Sequence, residues 1–314
     1  MSGALRILTS GPCTTVQDLG RFDAYHLGVP VSGMLDNYAG QIANWLVGNP
    51  TSCAILEMTL NGADIEFLSP ADIAITGAAM HPELNGRPCR QWTSIRVQPG
   101  DVLHLGPAAN GCRAYLAITG GIEVPLVLES RSTYLGGHLG GLDGRILAAG
   151  DILHRGPGPL LPTTKDLPWF PIYPEDILVR TIAGPHDDSF KTHLERFFNT
   201  SFTVTARCDR MGVRLEGPEI FRDNDAPESI ISQPVVPGNV QIPPDGRPII
   251  LLNEQTIGGY TTIATVVSAD IWRIGQAKPG NTIRFVQLSL EEGHLLYRQW
   301  AGFLAATKTL LEGR

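Results

Sequence analysis

The chain has 314 residues, of which 43% are apolar and 18% charged, and its formal net charge is −7. This composition is typical of a soluble globular protein, and the length exceeds that of one usual domain, so we expect two domains. The acidic balance excludes a general phosphate-backbone binder, and we expect no nucleic-acid partner. No run approaches the roughly eighteen apolar residues of a membrane span, so we expect no membrane association.

The five cysteines are widely spaced and contain no CxxC pair. Such usage is typical of reduced thiols in a cytoplasmic protein, which is the localisation we predict. The segment 1–8 has too few apolar residues to act as a signal peptide. No metal-binding motif such as HExxH occurs, and we expect no metal in this chain.

Short β-branched runs separated by glycine and proline turns dominate the chain, and they predict a mainly β architecture with a few helices. The first helix is predicted at 36–47, where Asp36 can cap the start and a Gly-Asn-Pro sequence ends it. The second is predicted at 187–199, from phenylalanines at helical spacing. The third is predicted near the end of the chain, where Ser289 and Glu292 form a capping box before a broad apolar stripe.

One type of turn recurs between the strands. Pro-Gly-Asp, Ala-Gly-Asp or Pro-Gly-Asn precedes an apolar run at 99–105, 149–153 and 279–285. Asn-Gly-Arg-Pro at 85–88 is likewise echoed by Asp-Gly-Arg-Pro at 245–248. These echoes are compatible with two related β-barrel units, and turn chemistry alone could also produce them.

A proline-rich stretch marks the seam between the two expected units. Six prolines fall between residues 155 and 174. Proline cannot join a central strand and keeps the chain extended, which suits a surface linker. We therefore predict an N-terminal β-rich unit with one helix at 1–160, a linker at 161–175, and a C-terminal β-barrel unit with the terminal helix at 176–314.

Several common catalytic signatures do not occur in the sequence. There is no GxxxxGK[ST] phosphate loop, no GxSxG nucleophile elbow and no Met-Lys-Met biotin site. Any nucleotide or biotin chemistry therefore needs parts from another polypeptide.

Two polar clusters in the second half are the first candidates for a site. A polar loop at 253–262 lies between two apolar β-branched runs and carries a Gly-Gly pair that permits close ligand approach. Gln241 lies just upstream of it. Were the chain extended around Gly212, Arg210 and Arg214 would share one face and could clamp a carboxylate.

Two further clusters lie in the first half. Residues 14–21 combine hydroxyls, an amide, a carboxylate and a guanidinium, and residues 130–137 place donors next to glycines. A polar turn explains the first and a tight loop the second as well as an anion site does. The residues alone leave both readings open.

Ordered motifs run along most of the chain, namely TVQDxGR (15–21), GVPxSGxxD (28–36), ANxLxGN (43–49), SRST (130–133), RMGxRL (210–215) and GGY (258–260). Taken together, they resemble those of the family that includes the 5-oxoprolinase C subunit, also named KipA-like or allophanate hydrolase subunit 2, a biotin-dependent carboxyltransferase-type domain. The resemblance spans nearly the whole chain and implies a cyclophilin-like β-barrel architecture.

Three functions follow from the resemblance. The first is a hydrolase: a component of an ATP-dependent 5-oxoprolinase that converts 5-oxoproline to glutamate with a smaller subunit-B (KipI-like) partner and a subunit-A protein. The second is transfer of a carboxyl group from carboxybiotin, held on a separate chain, to urea or another small amide. The third is a non-catalytic regulator that binds a kinase-inhibitor protein. One scaffold can host all three functions, so the scaffold alone does not decide which of them this chain has.

Under the first function we assign substrate binding to the Gly-Gly loop, the two arginines and the upstream glutamine, namely Gln255, Thr256, Gly258, Gly259, Tyr260, Arg210, Arg214 and Gln241. Supporting roles go to the two clusters of the first half, namely Thr15, Gln17, Asp18, Arg21, Ser130 and Arg131. No catalytic residue is identified. The chain departs from the family's usual loop at Glu254, Ile257 and Thr261, and Glu129 replaces a common glycine. We expect the hydroxyl missing at Ile257 to bear on substrate choice.

Overall fold

The protein is described by a computed structural model that covers residues 3–223 and 230–313. It forms two compact units, and each is discontinuous in sequence. The first lies within Met1–Asp23, Val31–Tyr173 and Leu304–Arg314, and the second within Ala24–Pro30 and Pro174–Phe303. In this division, residues 24–30 lie in the second unit and the end of the terminal helix lies in the first.

The first unit contains twelve described strands, and every described pair of neighbours is antiparallel. They are β1 (Leu5–Thr9), β2 (Thr14–Gln17), β3 (Ile55–Thr59), β4 (Asp64–Phe67), β5 (Ala71–Gly77), β6 (Glu83–Leu84), β7 (Arg87–Pro88), β8 (Ser94–Val97), β9 (Val102–His104), β10 (Arg113–Ile118), β11 (Ile122–Glu123) and β12 (Ile152–Arg155).

These strands form two sheets that share one apolar core. The larger sheet has the order β11-β12-β1-β4-β9-β6-β7, and the smaller has the order β2-β3-β10-β5-β8. Ile7 and Phe67 of the first sheet join Leu56, Ile73 and Leu116 of the second in a single buried cluster. The expected second closed barrel is therefore not met among the described residues: here two separate sheets enclose the core.

Helix α1 (Asn37–Leu46) confirms the first predicted helix. The Asp36 carboxylate accepts the backbone N–H of Ala39 at 2.9 Å, which is the expected N-terminal cap. The other Asp36 oxygen accepts the Tyr173 hydroxyl at 2.8 Å, and the Asp36 N–H donates to the Tyr115 hydroxyl at 2.8 Å. Burial, reinforced by nearby carboxylates, raises the pKa of both tyrosines well above the usual value.

The predicted linker is part of the first unit as far as Tyr173. The Leu161 N–H donates to the Asp72 carboxylate at 2.6 Å, and the Leu167 N–H donates to the Trp92 carbonyl at 2.9 Å. These two bonds fasten the proline-rich segment along the unit. It is therefore not a free spacer.

The second unit is built on a closed barrel of seven strands, which confirms the predicted barrel. Its strands are β13 (Asp176–Ala183), β14 (Ser201–Cys208), β15 (Gly212–Glu216), β17 (Asn239–Ile242), β18 (Ile249–Leu251), β20 (Thr261–Val266) and β21 (Thr282–Gln287). Their order around the barrel is β13-β20-β17-β18-β15-β14-β21, and a separate pair is formed by β16 (Gln233–Pro234) and β19 (Ile257–Gly258).

The helices of the second unit are mostly short. They are α2 (Leu194–Phe198), α3 (Ile271–Gly275), the long α4 (Leu290–Glu312), whose last residues belong to the first unit, and the 3-10 helices Tyr25–Leu27, Asp187–Phe190 and Ser268–Asp270. The predicted capping box of α4 is present, because the Ser289 N–H donates to the Glu292 carboxylate at 2.7 Å and the Glu292 N–H to the Ser289 hydroxyl at 3.2 Å.

The single helix predicted at 187–199 is divided into a 3-10 helix and α2. The Asp223 carboxylate, distant in sequence, accepts both the backbone N–H of Thr192 and its hydroxyl. An N–H engaged outside the helix cannot donate to the carbonyl four residues earlier, so the helical ladder is interrupted there.

The recurrent turn predicted from Gly-Asp sequences occurs in four places with one geometry. In each, the fourth residue's N–H donates to the first residue's carbonyl, and its side-chain oxygen accepts the first residue's N–H at 2.7–3.0 Å. The third residue is a glycine with φ between 89° and 94°, as a type II turn requires. The turns are at 98–101, 148–151, 236–239 and 278–281, two in each unit; the third was not predicted.

Candidate functional site

The Gly-Gly loop of the second unit, residues 253–260, is held by three sets of contacts. The Tyr25 hydroxyl donates to the Gln255 carbonyl at 2.8 Å. The short strand β19 within the loop pairs with β16, and the Glu254 N–H donates to the Arg210 carbonyl at 3.1 Å. The loop is not the turn of a hairpin, because β17 lies between β18 and β20 in the barrel. It is therefore fixed on rigid elements, as functional loops usually are.

Arg210 is buried and paired with the loop. Its Nε lies 2.5 Å from Oε1 of Glu254, and the two side chains are 6% and 5% exposed. This pairing ties the Arg210 guanidinium to the loop. The expected shared face with Arg214 does not form because the Asp209 carboxylate accepts the N–H groups of Met211 and Gly212, which turns the chain between them.

Gln241 lies beneath the loop and explains its first glycine. The Gln241 side chain is buried and donates to the Tyr260 carbonyl at 3.3 Å. A Cβ at Gly258 would lie 2.5 Å from Nε2 of Gln241, so only glycine allows this contact undisturbed. The Gln255 side chain folds back to the Ile257 carbonyl at 2.6 Å, which stabilises the loop internally.

A cavity of about 580 Å³ opens in the second unit, where Tyr260 ends the loop. Of the eight predicted substrate residues, only Arg214 and Tyr260 line it. Its charged lining residues are Arg207, Arg214, Glu216, Asp245 and Arg247. Three arginines against two carboxylates leave an excess of one positive charge, which suits an anionic ligand.

A β-bulge places two of these arginines opposite one another. Strand β14 pairs with β15 at Val204 and Leu215 and again at Cys208 and Val213, so residues 205–207 stand opposite a single residue, Arg214. The Thr205 hydroxyl accepts the Arg207 N–H at 3.1 Å and stabilises the bulge. Bulges often redirect a side chain next to a site, and here Arg207 and Arg214 line the same cavity.

The three arginines differ in their partners. Arg247 lies 3.8 Å from the Glu216 carboxylate in an exposed ion pair. Arg207 and Arg214 form no side-chain hydrogen bond or ion pair with other residues in the described parts of the chain. A guanidinium presents a rigid set of donors that matches a carboxylate or phosphate, so these two are available to bind one.

Sequence reasoning missed Arg207 and Arg247 as site residues. Arg207 belongs to the positively charged cluster at 207–214, and Arg247 belongs to the Asp-Gly-Arg-Pro turn at 245–248. Neither sequence pattern shows that the residue lines a cavity. The cavity depends on the bulge and on the pairing of β15 with β18, and distant segments of the chain set both.

In the first unit, Asp18 joins the two supporting clusters. Its carboxylate accepts the Gly20 N–H at 2.8 Å, the Ser130 hydroxyl at 2.7 Å, the Ser132 hydroxyl at 2.5 Å and the Arg131 N–H at 2.6 Å. The structure thus brings segments 15–21 and 130–133 together around one buried carboxylate. The buried Asp18 carboxylate is thus satisfied by four donors.

The remaining supporting residues extend this network. Gln17 donates to the Thr15 hydroxyl at 3.0 Å and to the Thr133 carbonyl at 3.2 Å, and Arg21 donates to the Ser132 carbonyl at 2.6 Å. Their side chains are buried. The geometry therefore gives them a part in holding the segment 130–133 in place.

The four residues that differ from the family's usual sequence lie in different structural environments. Glu254 provides the partner of Arg210, so the longer carboxylate is used inside the protein. Ile257 is 57% exposed and is not among the residues that line the cavity. Thr261 is buried in β20. Glu129 adopts φ 63°, a left-handed conformation that glycine adopts without strain.

Two searches over residues 3–223 and 230–313 gave no candidates. No group of three or more His, Cys, Asp or Glu side chains is arranged to hold a metal ion. No helix in the same residues has the length and apolar character needed to cross a membrane. All five cysteines are free thiols.

Comparison with known proteins identifies close relatives along the whole chain. It is 37% identical over 296 residues to the 5-oxoprolinase C subunit of Escherichia coli (strain K12), covering 92% of each chain. It is 36% identical over 345 residues to the urea amidolyase of Lachancea kluyveri, covering 99% of this chain but 18% of that protein. The crystal structure of the K. lactis urea amidolyase superposes with a TM-score of 0.89 at 33% identity, over 98% of this chain and 20% of that one.

The chain thus spans about a fifth of the length of the urea amidolyases that it matches. A family model described as the carboxyltransferase domain, subdomain A and B, matches residues 27–287. That match covers most of the chain and confirms the resemblance drawn from the ordered motifs. The chain belongs to the carboxyltransferase domain family, subdomain A and B, together with the 5-oxoprolinase C subunits.

Proposed function

We propose that this chain is the C-type subunit of an ATP-dependent 5-oxoprolinase, a hydrolase that opens the lactam of 5-oxoproline to give glutamate. The observation that carries the proposal is its 37% identity to a 5-oxoprolinase C subunit along 92% of both chains. The same kinship supports a complex with a smaller subunit-B (KipI-like) protein and a subunit-A protein. We place this complex in the cytoplasm, in keeping with the free thiols.

The arginine-lined cavity is the substrate site in this proposal. 5-Oxoproline carries a carboxylate on a small planar lactam ring, and a cavity of about 580 Å³ falls in the usual range for small-molecule sites. Arg207 and Arg214 bind the carboxylate, since both are available and stand opposite one another across the bulge. Tyr260, in the wall, offers its hydroxyl to the lactam.

The other assigned residues act on the loop. Arg210 acts through Glu254, and Gln241 acts from beneath Gly258, so both fix the backbone that carries Tyr260. Within the loop, Gln255, Thr256, Gly258 and Gly259 set its shape through backbone contacts, including the bond from the Val235 N–H to the Thr256 carbonyl at 3.0 Å. Precise placement of the binding groups follows from this support.

We assign ATP to the partner polypeptides. The sequence has no GxxxxGK[ST] loop, and the cavity of the barrel supplies arginines but no described group that we assign as a general base. ATP would provide the activation of the lactam, while this chain binds and orients it. The catalytic residue accordingly stays unassigned.

Reconstitution tests the proposal. The purified chain is combined with its subunit-B and subunit-A partners, and glutamate release from 5-oxoproline is followed with ATP present or omitted. We expect release only when this chain and ATP are both present. Release that does not depend on this chain, or a complete mixture that forms no glutamate, would contradict the proposal.

Carboxyl transfer is the second candidate, and a specific observation favours it. The chain is similar to urea amidolyases over 98–99% of its length, with a TM-score of 0.89 to one of them. In this function a biotin carrier on a separate chain delivers the carboxyl group to urea or another small amide. Labelled carboxybiotin distinguishes the two candidates, because label appears in a carboxylated amide only if this chain is a carboxyltransferase.

A further inference from the structure

A second cavity, of about 460 Å³, lies within the first unit. Its walls come from residues 77–83, 88–92 and 170–172, together with Asn110. None of these residues has a part in the proposed function. The volume falls in the usual range for small-molecule sites, so the cavity is large enough for a second ligand.

Two residues of the cavity wall have strained backbones. Trp92 adopts φ 62° and His81 adopts φ 44°, in a left-handed region where bulky residues are rare. The Trp92 N–H donates to the Ile75 carbonyl at 2.8 Å, and the Trp92 carbonyl accepts the Leu167 N–H at 2.9 Å. Strained residues that the surrounding structure holds in this way are concentrated at ligand and active sites. The strain therefore indicates a functional wall.

The indole N–H of Trp92 is a donor without an acceptor in the described part of the chain. Trp92 is 3% exposed, yet its Nε1 is not among the fully enclosed polar atoms, so it keeps access to the cavity that Trp92 lines. The other two buried tryptophans, Trp45 and Trp272, donate to the Thr51 hydroxyl at 3.0 Å and to the Ala269 carbonyl at 2.8 Å. A buried tryptophan usually has such a partner, so the Trp92 N–H is left for a ligand acceptor.

Two opposite charges on the wall do not neutralise each other. The acidic and basic lining residues are Glu83 and Arg90, and the His81 ring and the Asn110 amide add polar groups. Within residues 3–223 and 230–313, neither Glu83 nor Arg90 forms an ion pair or a side-chain hydrogen bond. An unpaired guanidinium binds a carboxylate, and an unpaired carboxylate binds an ammonium group. The wall thus offers a separate partner for each end of a zwitterion.

The rest of the wall is largely apolar. Phe170 stacks on Trp92 with ring centroids 5.6 Å apart and planes 6° apart. Phe170 is 51% exposed and Ile172 is 79% exposed, so both keep uncovered apolar surface, and Pro82 and Pro171 also line the cavity. An aromatic side chain of a ligand would bury this surface and make a ring contact with Phe170.

We propose that this cavity binds a free aromatic α-amino acid. Arg90 binds its carboxylate, Glu83 binds its ammonium group, and its side chain lies against Phe170. An oxygen of the ligand accepts the Trp92 indole N–H. The site does not depend on the proposed function, because it shares no lining residue with the cavity assigned to 5-oxoproline.

A zwitterion fits this wall better than a simple acid or a simple amine. A carboxylic acid without an ammonium group would leave Glu83 unpaired and facing a like charge. An amine without a carboxylate would do the same to Arg90. An amino acid pairs with both residues, and its side chain covers the apolar part of the wall.

NMR titration of the purified full chain with L-phenylalanine tests the site. We expect saturable binding with a Kd on the order of 1 mM, because small ligands gain only a modest free energy per atom. Hydrocinnamate lacks the ammonium group and phenethylamine lacks the carboxylate, so each should bind roughly tenfold more weakly. L-Glutamate, the product in the proposed function, should also bind more weakly, because its second carboxylate would lie against the apolar wall.

Removing the two charges one at a time separates binding from a structural role. Arg90→Ala should raise the Kd for L-phenylalanine roughly tenfold and should not raise the Kd for phenethylamine. Glu83→Gln should raise the Kd for L-phenylalanine by a similar factor and lower the Kd for hydrocinnamate, because a like charge is removed. Arg87→Ala is the matched control: this exposed arginine does not line the cavity, so every Kd should be unchanged. A substitution that only disturbed the fold would weaken the binding of all three ligands together.

The indole N–H signals of protein labelled at its five tryptophans test the contact with Trp92. When L-phenylalanine saturates the site, the assigned Trp92 signal should shift downfield, because its N–H gains an acceptor. The signals of Trp45 and Trp272 should stay in place, since both N–H groups already have acceptors within the chain.

Four results would overturn the proposal. L-Phenylalanine does not bind at any soluble concentration, or it binds no more tightly than hydrocinnamate and phenethylamine. Alternatively, Arg90→Ala and Arg87→Ala change its Kd equally, or the Trp92 signal does not move when L-phenylalanine saturates the chain.

Discussion

The buried pair between Arg210 and Glu254 allows a quantitative prediction for the Gly-Gly loop. Both side chains are almost fully buried, and the Nε to Oε1 distance is 2.5 Å. Removing one partner leaves an uncompensated buried charge, which costs about 3–5 kcal/mol. Arg210→Met should therefore lower the free energy of unfolding of the second unit by that amount.

The companion variants separate charge burial from packing. Glu254→Gln keeps an oxygen near the guanidinium and should cost less than Arg210→Met, because one hydrogen bond survives. The double variant Arg210→Met with Glu254→Leu should recover most of the loss, since replacing a buried ion pair by apolar residues is often neutral. The double variant should thus be more stable than Arg210→Met alone.

The assay combines urea unfolding with hydrogen exchange over peptides that cover residues 249–262. We expect the single variants to increase exchange at the Glu254 N–H, which donates to the Arg210 carbonyl at 3.1 Å. Single variants that stay within about 0.5 kcal/mol of the wild type would refute the reasoning, as would a double variant that is less stable than either.

Two further predictions concern the loop and the helix cap. Gly258→Ala should displace the Gln241 side chain, because its Nε2 would lie 2.5 Å from the new Cβ. The lost hydrogen bond to the Tyr260 carbonyl should lower the free energy of unfolding by about 1 kcal/mol. An unchanged Tm would contradict this. Burial raises the pKa of Tyr173 in the folded chain above its value in the unfolded chain, which is about 10. The unfolded chain therefore loses this proton at a lower pH than the folded chain does, and the free energy of unfolding falls as the pH rises further. Tyr173→Phe should reduce that alkaline loss of Tm, and a parallel pH profile would contradict it.

Features that depend on short sequences were predicted well. The Gly-Asp turns follow from local chemistry, because the glycine supplies the positive φ and the Asp or Asn oxygen accepts an N–H three residues earlier. The cap at Asp36 and the box at Ser289 are equally local. The family motifs added the barrel, which no local pattern specifies.

Features set by distant segments were not predicted. The helix at 187–199 is interrupted by Asp223, which no periodicity indicates. Arg210 and Arg214 were expected on one face, but the turn at Asp209 and the pairing with Glu254 separate them. Arg207 enters the site because a bulge opposes three residues of one strand to one of another, and such a register is decided in the folded barrel.

The concentration dependence of glutamate release by the reconstituted complex tests the central claim most directly. With Arg214→Ala, the KM for 5-oxoproline should rise on the order of tenfold to a hundredfold, as loss of a charge-assisted hydrogen bond predicts. Arg284→Ala, an exposed barrel arginine outside the cavity, should leave the KM unchanged. A KM that is the same for Arg214→Ala and Arg284→Ala would contradict the assignment of the cavity as the substrate site.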